Sequence, residues 1–176
     1  MKVKRGLLIG RMQPVHNGHV EIIKKIFNLV DELIIGIGSG QISHEINNPF
    51  TAGERVLMLQ NTLKETEIPS DSYYIIPIVD INNNSLWATH VESLIPEFNV
   101  VFSGNPLVKR LFKENNYDVK TPPLFDRTNL SGRKIRNKMV KGKNWQSCLP
   151  ESVVKIIKEI DGINRLKEIN KKEINE

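Results

Sequence analysis

Five short apolar runs, each followed by a segment of helical spacing, leave this chain few ways to fold. The runs are Gly6–Gly10, Leu33–Ile37, Tyr73–Val79, Val100–Phe102 and Tyr117–Lys120. Leu33–Ile37 is continuous rather than alternating, as in a strand covered on both faces. Between the runs, Val20–Phe27 spaces its apolar residues helically, and Thr51-Ala52-Gly53-Glu54 reads as a capping box opening a helix through Leu63. Leu86–Leu94 forms a short helix, and Pro106 opens another that carries Leu107, Val108, Leu111 and Phe112. Strand and helix in alternation predict a parallel, doubly wound sheet of about five strands with helices on both faces. Pro77 weakens the second half of the third run. After Pro122 and Pro123 the pattern changes. Ser131 caps a basic helix, two more helices follow near 153–160 and 163–169, and the remaining polar tail is expected to fray. These boundaries divide the 176 residues into an α/β core over 1–125, a helical segment over 126–170 and a tail over 171–176. A chain of this length makes one domain rather than two.

Composition excludes several classes of function. No apolar stretch approaches the length that crosses a bilayer, and the N-terminal apolar run is too short for a signal-peptide core. The chain is therefore expected to act in the cytoplasm, away from membranes. One cysteine, Cys148, forms no internal disulfide, fits a reducing compartment and has no neighbours at zinc-ligand spacing. The net charge is +5, and it is unevenly spread. Arg127, Arg133, Lys134, Arg136, Lys138, Lys141 and Lys143 crowd the stretch before Trp145, against the single carboxylate of Asp126. Such a run suits nucleic acid or the phosphates of a small molecule. The lack of interleaved aromatics favours the small molecule, so no nucleic-acid partner is expected.

Ligands of doubly wound sheets bind beyond the carboxyl ends of the strands. After the first strand comes Gly10-Arg11-Met12-Gln13-Pro14-Val15-His16-Asn17-Gly18-His19. At a strand-to-helix turn the free backbone N–H groups and the helix dipole favour an anion. Gly18 allows close backbone approach, His16 and His19 are spaced to face one anion, and Arg11 adds a fork of donors. More than 100 residues later, Ser131-Gly132-Arg133-Lys134-Ile135-Arg136 repeats the theme with a capped helix start and a cation over one turn along. Taken alone, the first segment is equally a polar turn with exposed histidines, and the second reads as a solvated basic helix. Two familiar nucleotide motifs are absent. Gly36-Ile37-Gly38-Ser39-Gly40 misplaces the third glycine of a dinucleotide fingerprint, and there is no Gly-x-x-x-x-Gly-Lys-[Ser/Thr] loop.

The first segment resembles the HxGH signature, and the second the [ST]-x-x-x-[IV]-R motif, of one nucleotidyltransferase superfamily. With Gly10–Pro14, Pro49-Phe50-Thr51-Ala52-Gly53-Glu54-Arg55 and Ser103-Gly104-Asn105-Pro106-Leu107-Val108, the chain resembles archaeal-type nicotinamide-nucleotide adenylyltransferases from about Arg5 to about Leu166. The resemblance implies a Rossmann-like fold and transfer of the adenylyl group of ATP to the 5′-phosphate of nicotinamide mononucleotide, giving NAD and pyrophosphate. It implies catalytic roles for Arg11, His16, His19 and Arg136. ATP would be bound by Gly10, Met12, Gly18, Ser103, Gly104, Asn105, Ser131 and Arg133. The mononucleotide would meet Gln41, His44, Asp80, Ile81, Asn84 and Trp87. Magnesium or another divalent cation would be held mainly by phosphate oxygens, with no protein metal site. A homo-oligomer is also implied.

Several residues carry a second reading. Ser103-Gly104-Asn105 is equally a strand-to-helix turn with Asn105 as cap, and Trp87 equally a core aromatic. The loop Glu45-Ile46-Asn47-Asn48 lacks the arginine that some relatives place near it to contact phosphate; if that contact matters, another residue such as Arg55 or Lys109 must replace it. Val15 stands where an aromatic is common. A different phosphorylated acceptor, such as phosphopantetheine or flavin mononucleotide, would use the same two phosphate motifs, and a non-catalytic nucleic-acid-binding protein is the remaining alternative.

Overall fold

The computed structural model describes residues 3–122 and 130–175. Five parallel strands form one sheet: β1 (Arg5–Gly10), β2 (Glu32–Ile37), β3 (Tyr73–Pro77), β4 (Val100–Phe102) and β5 (Asp118–Lys120), in the order β3-β2-β1-β4-β5. Every pair is parallel, with Leu7 opposite Ile34 and Val101 on its two sides. The order reverses between β1 and β4. This is the doubly wound sheet the alternating runs predict, and the crevice above β1 is where sheets of this kind bind ligands.

The central strands are buried on both faces; Leu7, Leu33, Ile34, Ile35 and Ile37 have no exposed surface. Helices α1 (Asn17–Phe27), α2 (Ala52–Glu65), α3 (Trp87–Leu94) and α4 (Pro106–Glu114) follow the first four strands. Two apolar cores result. One joins Leu8, Ile35 and Phe102 to α1, α2 and the C-terminal helices, and the other joins Leu7, Ile34 and Val101 to Trp87, Val91 and Phe112. Helices α5 (Gly132–Val140), α6 (Glu151–Glu159) and α7 (Gly162–Asn175) add Ile135, Met139, Val153, Ile157 and Leu166 to the first core. They therefore share the core of the sheet. The boundary placed at 125–126 lies outside the described residues. No helix among those described is long and apolar enough to cross a membrane.

Several element boundaries differ from the sequence expectation. Helix α1 starts at Asn17 rather than Val20, so Gly18 and His19 belong to its first turn. Strand β3 stops at Pro77; it is an edge strand, where proline is tolerated, and its pairing with β2 ends at Ile37. Helix α7 continues to Asn175, so its helix-forming Lys and Glu residues extend the predicted 163–169 segment into the supposed tail.

The capping box at Thr51 has a second function. Glu54 Nα–H donates to Thr51 Oγ1 at 3.2 Å and Thr51 N–H to Glu54 Oε2 at 2.9 Å, while Arg165 of α7 grips both Glu54 oxygens at 2.8 and 2.9 Å. Burial alone would raise the Glu54 carboxyl, but the Arg165 and Thr51 bonds outweigh it and hold it below the usual glutamate range. A depressed folded value contributes stability above the unfolded value, and that stability is lost as pH falls through the folded one. Both side chains are about a fifth exposed, so solvent screening trims the effect to about 1 kcal/mol. Arg165→Met should lower the melting temperature at pH 7 by a few degrees and flatten its decline in acid. Thermal melts of both proteins between pH 7 and pH 3 measure this; parallel curves would remove the pair from the acid response.

Candidate active site

Beyond β1 the chain turns sharply. Met12 takes a left-handed backbone with φ 52° and is buried, and the methyl end of its side chain lies where Gly10 would carry a Cβ, 3.1 Å away. Gln13 pairs with Phe50 in both directions: its Nε2 donates to Phe50 O at 2.9 Å, and Phe50 N–H donates to its Oε1 at 3.0 Å. The turn is thereby anchored to the segment leading into α2. His16 then caps α1, and its ring stacks on His19 with centroids 3.6 Å apart. Gly18 makes this possible, since a Cβ there would sit 3.1 Å from the His16 ring.

The two imidazoles are arranged as neutral donors. His16 N–H donates to His19 Nδ1 at 3.2 Å, which makes Nδ1 an acceptor and leaves Nε2 to carry the proton. Burial pushes His16 down to about 4, and burial with the neighbouring His16 pushes His19 well below the usual histidine value. His16 Nδ1 is buried with no hydrogen-bond partner among the described residues. Such an atom at a helix start is costly unless a ligand meets it.

Two cavities open at this end of the sheet. One, of about 510 Å³, is lined by Gly10, Met12, His16, Gly18, His19, Ser103, Gly104, Asn105, Ser131 and Gly132. The other, of about 430 Å³, is lined by Arg11, Ser39, Asp80, Ile81, Asn84, Trp87 and Leu107, among others. Ile9, Gly10 and Asn105 belong to both. The shared wall is the end of β1 facing the turn after β4, at the reversal of strand order. Asn105 serves two purposes there, lining both cavities while its Oδ1 caps α4 by accepting from Leu107 N–H at 2.9 Å. Trp87 likewise packs edge-on against Phe112 in the core, 5.8 Å between centroids, and lines the second cavity.

The N-terminus of α5 completes the first cavity. Ser131 accepts from Lys134 N–H at 3.4 Å, and Gly132 lies so close to the turn that a Cβ would come 2.7 Å from the Gln13 carbonyl oxygen. Arg136 fastens this junction: Nη1 donates to Gln13 O at 2.7 Å, Nε to Ile46 O at 2.8 Å and Nη2 to Asn47 Oδ1 at 3.1 Å. Burial, followed by the charges of Arg11 and Arg133, lowers its guanidinium to about 10, which leaves it a cation at neutral pH.

Not every expected site residue reaches these cavities. Arg136 and Arg133 line a separate, smaller cavity with Ile46 and Asn47, because three acceptors of the turn and loop hold the Arg136 head. Gln41 pins the Asp80 backbone instead, donating from Nε2 to Asp80 O at 3.1 Å and accepting from Asp80 N–H at 3.0 Å. His44 is exposed and bonds only locally, with Ser43 Oγ at 2.9 Å. Arg55 does not replace a missing loop cation. It has no exposed surface, and its guanidinium donates to the carbonyls of Arg11, Gly38, Ser39 and Thr51 at 2.9–3.1 Å. Lys109 is taken by Thr121 Oγ1 at 2.8 Å. The basic run is not one solvated stripe, since Arg136 is buried and Lys138 Nζ meets buried Cys148 Sγ at 3.2 Å. Arg127 lies outside the described residues. Arg55 and Gln13 were the positioning residues least visible in sequence; an arginine inside a capped helix start was the one available signal.

The cytidylyltransferase-like family model matches residues 7–138. A nicotinamide-nucleotide adenylyltransferase of Methanococcus maripaludis (strain C6) is 55% identical over 172 residues, which cover 98% of this chain and 99% of the relative. That of Thermoplasma volcanium is 52% identical over 169 residues, covering 96% and 94%. Among solved structures, a bifunctional NMN adenylyltransferase/ADP ribose pyrophosphatase from Francisella tularensis, complexed with AMP and a manganese ion, superposes with a TM-score of 0.81 at 22% identity. It covers 98% of this chain, which spans about half (54%) of the larger protein. At that identity the likeness is one of fold.

The close approach at Gly132 supplies a test of the two-segment cavity. Gly132→Ala should push α5 off the Gln13 carbonyl and weaken binding of inorganic triphosphate by about tenfold, while the melting temperature falls by only about 4–8 °C. Calorimetric titration with triphosphate measures the first effect; unchanged affinity would detach α5 from the anion site.

Proposed function

The chain belongs to the cytidylyltransferase-like family and, within it, to the nicotinamide-nucleotide adenylyltransferases; from that premise we propose that it joins ATP and nicotinamide mononucleotide into NAD and pyrophosphate. One observation supports this above the others. Two cavities meet at the end of β1, one carrying His16, His19 and the starts of α1 and α5, the other carrying Arg11, Asp80 and Trp87. A triphosphate in the first and a mononucleotide in the second bring their phosphates together at Gly10 and Asn105.

The chemistry asks little of side chains. An oxygen of the mononucleotide 5′-phosphate attacks the α-phosphorus in line; that P–O bond forms as the bond to the bridging oxygen breaks, and pyrophosphate leaves with the electron pair. No covalent enzyme intermediate is needed, so catalysis is alignment and charge stabilisation. His19 Nε2–H and the helix N-termini act as fixed donors to the phosphates, with Arg11 at the junction drawing the two anions together. Ser103, Gly104 and Asn105 take the adenosine side, and Trp87 gives the cationic nicotinamide ring an aromatic face. Arg136 and Arg55 are positioning residues in this scheme, since each acts through the backbone it holds.

The described residues lining the phosphate cavity include two imidazoles and no carboxylate. A divalent cation belongs with the phosphate oxygens of the nucleotide, and magnesium suits that arrangement.

Purified protein given ATP, a divalent cation and a panel of phosphorylated acceptors should make NAD from nicotinamide mononucleotide and turn over neither phosphopantetheine nor flavin mononucleotide. Turnover of another acceptor in its place would reassign the second cavity. His19→Ala should lower kcat by about 100-fold or more, the scale of losing a preorganised donor, with little change in the melting temperature. Equal loss of activity and stability would make the histidine structural.

A further inference from the structure

Among the lining residues of the second cavity, the ionisable ones are Arg11 and Asp80, and the topology sets them apart. Arg11 follows β1, Asp80 follows β3, and β2 lies between, two strand spacings or about 10 Å across the sheet. Arg11 adjoins Gly10 at the wall shared with the phosphate cavity, so the acceptor's phosphate belongs at that end. Its ring belongs at the other, among Asp80, Ile81, Asn84 and Trp87.

The carboxylate at the ring end is held with unusual care. Ser39 Oγ donates to Asp80 Oδ2 at 2.6 Å, and Ser39 itself sits in a left-handed backbone conformation, φ 51°, with its carbonyl clamped by Arg55 Nη2 at 3.0 Å. Gln41 fixes the Asp80 backbone from the other side through both its N–H and its C=O. Thus Arg55, Ser39 and Gln41 together orient one acidic side chain, and none of the three lines the phosphate cavity. A carboxylate accepts hydrogen bonds and donates none. With about four lone-pair sites it has capacity beyond the serine hydroxyl. It complements a carboxamide N–H₂ and the positive charge of a pyridinium. Against a carboxylic acid ionised at neutral pH it offers no donor and a like charge. The pyridinium is common to both acceptors, so it cancels in the comparison.

Resting on the reading of the second cavity as the mononucleotide site, we propose that the Asp80 carboxylate, oriented by Ser39, selects the carboxamide acceptor, nicotinamide mononucleotide, over its carboxylic-acid analogue. The selection works by rejection as well as attraction, as specificity built on a repulsive element does. A neutral amide at position 80 keeps the shape and removes the repulsion, since its N–H₂ can face an acid.

The test is the ratio of kcat/KM for nicotinamide and nicotinic-acid mononucleotides. In the unmodified protein the ratio should favour the amide by at least about tenfold. Asp80→Asn should shrink it about tenfold, chiefly by raising activity on the acid; a merely structural role would lower both activities together. Ser39→Ala, which keeps the charge and frees its orientation, should shrink the ratio less. Calorimetric affinities for the two mononucleotides give the same comparison should a variant lose turnover. An Asp80→Asn ratio equal to that of the unmodified, active enzyme overturns the proposal and leaves the adenylyltransferase reading standing. Failure of the unmodified protein to make a dinucleotide from either acceptor removes both.

Discussion

A single buried guanidinium organises the functional end of the sheet. Arg55, in the first turn of α2, has no exposed surface and spends its donors on carbonyls of Arg11, Gly38, Ser39 and Thr51. Three of these belong to the chain just beyond β1 and β2, where backbone groups run out of sheet partners. An unpaired buried carbonyl costs about 1–3 kcal/mol, so one side chain here offsets several such costs. Among the described residues its hydrogen bonds go to carbonyls, while the Asp80 and Glu54 carboxylates act on it at longer range. Burial, with a smaller contribution from Arg11, lowers Arg55 to about 10, while Asp80 acts in the opposite direction. The charge persists at neutral pH, and it sits beneath the loops that follow β1 and β2.

The phosphate side follows a complementary logic. It gathers donors that are largely uncharged: two stacked neutral imidazoles and the beginnings of two helices. Neutral donors spare the empty site the repulsion that several clustered cations would create. They also give the anion fixed directions rather than diffuse attraction. Among the described residues lining the two cavities, the fixed cation is Arg11, at the junction where the proposed function brings both phosphates together. Arg136 is a cation close in sequence to this site whose head is turned to Gln13, Ile46 and Asn47.

The sequence made the architecture legible for a clear reason. Continuous apolar runs such as Leu33–Ile37 specify doubly covered strands, and caps such as Thr51–Glu54 and Asn105–Pro106 specify where helices begin. Boundaries were less legible. The start of α1 was hidden because its cap is His16, outside the usual capping residues. The end of β3 was set by edge pairing, which depends on a neighbour distant in sequence. For the site, the residues at strand ends were readable because topology sends them to one place. The direction of a long side chain was not. Arg136 and Arg55 each had several acceptors within reach, and only packing decided that both would serve backbone carbonyls. Gln41 was placed on the correct loop, where its amide bonds the Asp80 main chain in both directions.

The bond from Arg136 to the Gln13 carbonyl spans 123 positions of sequence. During synthesis the first turn emerges long before the helix that completes it, and closing so large a loop precedes any reward from the contact. All five strands are therefore synthesised before the helix that completes the first cavity. On the proposed function, nucleotide capture is acquired with the last quarter of the polypeptide, whose helices also complete the first apolar core.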